Sequence, residues 1–293
     1  MYNELGVDLT LLLWNNSVAI LAVSLVCYLA SFRQTILFIL VVGFSLFTGI
    51  QFTVESNYDS IAIMGFIKLI LLLPFGLGAV LTYINLSELK QIKFQIWFTR
   101  YINFAVLTNI FVMVFSPDAG TYRGIVSRFA CLSLLVWLIQ EMLKVGFQTT
   151  LTDRKFFIFN SSPLSWIYCH ALYRIALLSL PTFDSIQYLL LEPLSLVSMT
   201  VLYRWHKKRY PLPYYFGLAD TLVVTTLTVL TRYPILLPFE IKDPYITNLQ
   251  ENQWDMIFIP IQVFVIGYAL RAISKNINHL SKKKSAMNPN IAS

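Results

Sequence analysis

The chain has 293 residues, 57% of them hydrophobic and 13% charged, with a formal net charge of +7. Soluble domains carry about 25% charged residues, and disordered chains combine high charge with low hydrophobicity, so a soluble enzyme and a disordered segment are both excluded. Cys27, Cys131 and Cys169 all sit in apolar runs, which excludes a disulfide scaffold.

A spanning helix needs about 20 mostly apolar residues to cross a hydrocarbon core of roughly 30 Å. Nine such runs follow one another, at 9–31, 35–54, 61–84, 98–115, 125–147, 163–183, 186–203, 214–239 and 254–274. The expected fold is therefore an all-α, polytopic membrane bundle: one transmembrane domain over 1–274 and a basic cytoplasmic tail over 275–293. No basic residue precedes the first run, so it lacks the n-region of a cleavable signal and is expected to remain in the chain. The segment 87–100 is too polar to span. Leu89, Ile92 and Ile96 share a face opposite Lys90 and Lys93, which predicts a short helix lying on the cytoplasmic surface.

Basic residues accumulate in cytoplasmic loops, and in this chain they alternate with the connections. Sixteen of the 22 fall on one side, among them Lys90, Lys93, Lys144, Arg204, Lys207, Arg271 and Lys275. The other side holds Arg123 and Lys242 but collects ten carboxylates, including Asp118, Asp184, Glu240 and Asp255. The amino terminus is thus expected outside and the carboxyl terminus in the cytoplasm. Trp97, Trp205 and Trp254 fall at span ends, where indoles anchor at headgroup level. The positive charge has anionic lipid headgroups as its expected partner, not nucleic acid.

A charge inside a bilayer costs at least a few kcal/mol, so each one needs a partner or a function. Eight are the candidates: Lys68, Arg128, Glu141, His170, Arg174, Glu192, Asp220 and Arg232. By helical rise, Lys68, Arg128, Glu192 and Arg232 belong to the outer half, Arg174 near the middle, and Glu141 and Asp220 to the inner half. Cations thus outnumber carboxylates in the outer half. Trp166, His170 and Arg174 recur at helical spacing on the sixth run, while Glu192 and Ser195 share a face on the seventh. Asp220, Thr221, Thr225, Thr228 and Arg232 line one face of the eighth. Pro193, beside Glu192, is read as a kink that opens space there.

Two readings of these charges stand side by side. Structural ion pairs and snorkelling side chains are one. The other is an outward-facing, cation-lined site for an anionic or phosphate-bearing ligand, with Lys68, Arg128, His170, Arg174, Thr225, Thr228 and Arg232 as binding residues and Glu192 and Asp220 as catalytic carboxylates. In that second reading the chain is a membrane-embedded transferase acting on a phosphate-bearing lipid or lipid-linked substrate, or a transporter or channel for a small anion. The first makes it a non-catalytic scaffold or assembly subunit. No cofactor or metal is expected. Of the three histidines, His170, His206 and His279, one lies within a span, and Cys131 lacks the neighbouring base of a Cys–His hydrolase.

Overall fold

The computed structural model describes residues 9–32, 39, 42–43, 46, 88–115, 117, 120–145, 149–151, 157–159, 162–180, 189–207, 210–213, 215–216 and 251–287. Among them are six helices: α1 (Leu9–Phe32), α2 (Glu88–Phe115), α3 (Tyr122–Val145), α4 (Leu164–Leu178), α5 (Leu191–Trp205) and α6 (Glu251–Met287). A small antiparallel hairpin, β1 (Thr149–Leu151) with β2 (Phe157–Phe159), pairs Thr150 with Ile158 between α3 and α4. Three helical stretches, Ile92–Phe115, Tyr122–Lys144 and Gln253–Asn278, are long and apolar enough to cross a membrane. The predicted spans 35–54, 61–84 and 214–239 lie almost entirely outside the described residues.

The separate surface helix expected over 87–100 is not formed. Those residues are the first turns of α2, which runs unbroken for 28 residues, about 42 Å at 1.5 Å per residue. No glycine or proline falls between Glu88 and Phe115, so nothing stops helical propagation when the sequence turns from polar to apolar. α6 likewise continues past the predicted end of its span at 274, through to Met287.

α3 and α6 form the spine of the fold, and they run parallel. Gln262 is hydrogen-bonded to Ser127 near one end and Asn276 to Glu141 and Lys144 near the other, with sequence separations of 132 to 135 throughout. Between these polar contacts the seam is apolar, with Leu134, Leu138, Val265 and Ala269 fully buried and Trp137 against Tyr268 at 5.9 Å. α2 returns antiparallel to α3, so that Cys131 Sγ meets the Ile110 carbonyl at 3.5 Å. α4 crosses the same seam: the Trp166 indole donates to the Leu134 carbonyl at 2.9 Å, and the Tyr173 hydroxyl to that of Met113 at 3.3 Å. These bonds join helices whose interiors offer no water, so each buried donor takes a carbonyl on a neighbouring helix.

α1 packs along α5 in parallel. Ser24 is hydrogen-bonded to Ser198, and the Tyr28 ring lies 5.9 Å from Trp205 and 5.4 Å from His206. Small hydroxyl residues at this contact let the two backbones approach closely.

The faces of α3 are sharply divided, since Leu138 is fully buried while Leu143 is 77% exposed. Leu138→Ala is therefore expected to lower stability in detergent by about 2–5 kcal/mol through the cavity left behind. Leu143→Ala is expected to change it by less than about 0.5 kcal/mol. Equal losses in thermal unfolding would contradict this assignment of faces.

Candidate functional site

Among the described residues, Arg128, Glu141, Arg174 and Glu192 each have a partner within the protein. Arg174 on α4 and Glu192 on α5 meet as an ion pair, Nη1 to Oε1 3.5 Å, with both side chains 7% exposed. The pairing agrees with the sequence argument that two charges on consecutive helices, each far from water, must meet. Their depth and setting differ from expectation in two ways. α5 begins at Leu191, so Glu192 stands in its first turn and Pro193 follows it there, where a proline costs no helical hydrogen bond. Pro193 therefore starts a helix; it does not kink one. Arg174 also lies closer to one end of the bundle than to its middle. Trp166 is already level with Leu134, and Ala176 packs against Trp254 and Phe258 at the start of α6.

His170 precedes Arg174 by one turn and is 5% exposed. Its ring stacks on Trp166 at 4.8 Å and 14° and lies 6.2 Å from the ring of Tyr173. The Trp166 bond to Leu134 fixes the indole, and the stacked indole in turn fixes the plane of the imidazole. On α5 the hydroxyl of Ser195 donates to the Glu192 carbonyl at 2.8 Å, a back-bond within its own helix. The Trp166–His170–Arg174 face and the Glu192 end of α5 thus come together.

Arg128 is placed differently. Its Nε and Nη2 both donate to the Pro117 carbonyl, at 3.0 and 2.8 Å, which ties the connection between α2 and α3 to α3 itself. Lys68, Asp220, Thr225, Thr228 and Arg232 lie outside the described residues.

Two further polar clusters lie at opposite ends of the α3–α6 seam. At one, Arg123 Nε is 3.2 Å from Asp255 Oδ1, the arginine 1% and the aspartate 20% exposed. The sequence places Arg123 in an extramembrane connection and Asp255 at the outer edge of the run 254–274. The signal was present, because Arg123, Ser127, Cys131, Leu134 and Leu138 share one helical face, and Thr121 supplies an N-terminal cap through its hydroxyl to the Gly124 amide at 3.0 Å. At the other end, Glu141 Oε1 accepts from Trp137 at 3.1 Å and Asn276 at 2.7 Å, with Lys144 Nζ at 3.4 Å. Lys144 is also hydrogen-bonded to Asn276.

Of the three indoles expected at the membrane interface, Trp97 and Trp205 are exposed, while Trp254 is 8% exposed and stacks on Phe258 at 5.5 Å. The reason is that Trp254 packs with Phe258 against Ala176 of α4, which covers it with protein.

Removing one member of a buried ion pair leaves an uncompensated charge, at a cost of about 3–5 kcal/mol. Arg123→Gln and Glu192→Gln are each expected to destabilise the protein on that scale. The double variant Arg174→Gln, Glu192→Gln is expected to recover about 0.5–3 kcal/mol relative to additivity. Strict additivity in thermal unfolding would argue against the contact. No family model matches the chain, and no characterised protein or solved structure shows significant similarity to it.

Proposed function

We propose that the chain is an integral, multi-pass membrane protein of nine spans, with the amino terminus outside and the carboxyl terminus cytoplasmic. In this reading His170, Arg174 and Glu192 form its functional centre, completed by Lys68, Asp220, Thr225, Thr228 and Arg232 from the remaining spans. The centre acts on a phosphate-bearing lipid or lipid-linked substrate, and the chain is a membrane-embedded transferase. The observation that carries the proposal is the buried Arg174–Glu192 pair one turn from a buried, stacked His170, since ionisable groups kept inside a membrane bundle are costly and mark functional sites.

The chemistry follows from the pair. A guanidinium presents a planar fork suited to phosphate oxygens, so an arriving phosphate competes with Glu192 for Arg174. Glu192, freed from the pair, takes the proton of an acceptor hydroxyl as that oxygen attacks the group attached to the lipid phosphate. The bond to the phosphate breaks, and its electron pair leaves with the phosphate held by Arg174. A second reading, a non-catalytic scaffold, is favoured by the polar clusters that lock α3 to α6, because Arg123 and Lys144 are both engaged within the chain.

A ligand that binds only the folded protein raises its stability by RT ln(1 + [L]/Kd). Phospholipids or polyprenyl phosphates are thus expected to raise Tm in detergent, and Arg174→Gln is expected to abolish the rise. A panel without any such ligand would leave the scaffold reading in place. For topology, a cysteine placed at Ser293 is expected to escape an impermeant reagent added to intact cells, and labelling from outside would refute the orientation.

A further inference from the structure

The clusters at the two ends of the α3–α6 seam are spaced like the two faces of a bilayer. From Arg123 to Glu141 is 18 residues along α3, and from Asp255 to Asn276 is 21 along α6; at 1.5 Å per residue these are about 27 and 31 Å, against a hydrocarbon core of roughly 30 Å. Between them the seam carries one polar contact, Ser127 with Gln262, and is otherwise apolar. The outward faces agree, with Phe129, Leu132, Val136 and Ile139 all exposed on α3 over the same interval.

This frame sets the depth of the Arg174–Glu192 pair by two independent routes. Trp166 is level with Leu134, eleven residues along α3 from Arg123, and Arg174 lies eight residues back along α4; the difference places it about 4 Å below the Arg123 level. Ala176, two residues beyond Arg174, packs against Trp254 and Phe258, which flank Asp255 at that same level. This gives about 3 Å, close to the first value.

We infer that the Arg123–Asp255 and Glu141–Lys144–Asn276 clusters mark the two bilayer interfaces, and that the Arg174–Glu192 pair, just inside the first, receives the phosphate of a lipid residing in that leaflet. This rests on the proposed function and narrows it. Transporter sites for small solutes lie near the midplane, about 11 Å deeper than this pair by the same rise per residue. At this depth the pair lies only about 4 Å from the interface where a lipid phosphate sits, and the lipid's chains remain in the hydrocarbon. A free anion at the same depth would have to give up its water with no such anchor.

Two measurements on the full chain in nanodiscs test the inference separately. Nitroxide labels on cysteines placed singly at Tyr122, Leu132, Val136 and Leu143, all exposed on α3, report depth from the ratio of oxygen to nickel-chelate accessibility. The native Cys27, Cys131 and Cys169 are buried and do not compete for label. The expected profile is deepest at Leu132 and Val136 and shallow at Tyr122 and Leu143. A profile deepest at Tyr122 or Leu143 would overturn the frame. In the second measurement, Tm is compared in phosphatidylcholine alone, with phosphatidylglycerol added, and with inorganic phosphate added. Phosphatidylglycerol is expected to raise Tm by about 3 °C, a rise lost in Arg174→Gln and kept in the double variant Arg271→Gln, Lys275→Gln at the opposite face. A rise with inorganic phosphate alone, or one that survives Arg174→Gln, would refute lipid capture at this pair. The expected depth profile without any rise would instead defeat the proposed function and leave the frame standing.

Discussion

The apolar core imposes a single constraint on this chain: a charge there must find its partner inside the protein. That constraint organises the described structure. The α3–α6 seam is apolar apart from Ser127 with Gln262, and is closed at each end by a charged cluster, Arg123 with Asp255 and Glu141 with Lys144 and Asn276. Packing between apolar faces gives little directional information in lipid, because lipid chains are as apolar as leucine. The end clusters supply what packing lacks. A slip of one turn along the seam would separate Arg123 from Asp255 and Glu141 from Asn276 at once, so the register is set by charge and hydrogen bonding while the area between is filled by side chains.

The placement of α4 follows from that seam. It enters beside Leu134, held by the Trp166 indole, and is only 15 residues long, ending with the Ser179 hydroxyl on the Ala176 carbonyl at 2.6 Å. A short helix that starts midway along the seam ends near its Arg123 end, and this carries Arg174 up to the start of α5. The polar centre is thus a consequence of where one tryptophan hydrogen bond anchors α4. The indole that stacks on His170 is the same one that sets the position of Arg174, four residues further along.

Much of the local structure was legible in the sequence. The run 9–31 corresponds to Leu9–Phe32, and 125–147 to Tyr122–Val145, because an apolar stretch bounded by polar turns marks a helix directly. Hydropathy does not mark where a helix stops. It saw the apolar part of α2 and of α6 but not their polar continuations, which stay helical because no residue interrupts them. Arg123 was missed for the same reason: a boundary drawn at the first apolar residue, Ile125, assigns the preceding turn to a loop, although the Thr121 cap begins the helix earlier. The Arg174–Glu192 contact was legible as an electrostatic necessity, but its depth was not, since depth depends on the Trp166–Leu134 bond between helices that no local pattern encodes.

The two buried ion pairs differ in how readily each would open. Arg123 sits in the first turn of α3, where the helix dipole is positive and opposes a cation. Its stability there depends on Asp255, and any ligand that drew Asp255 away would leave a buried guanidinium against an unfavourable field. Glu192 also sits in a first turn, that of α5, but there the dipole favours the carboxylate by about 0.3–1 kcal/mol, more when partly buried. When Arg174 is engaged by another anion, Glu192 keeps this favourable field. The Arg174–Glu192 pair is thus the one that opens at lower cost, and opening is what a site that exchanges an internal carboxylate for a ligand phosphate requires.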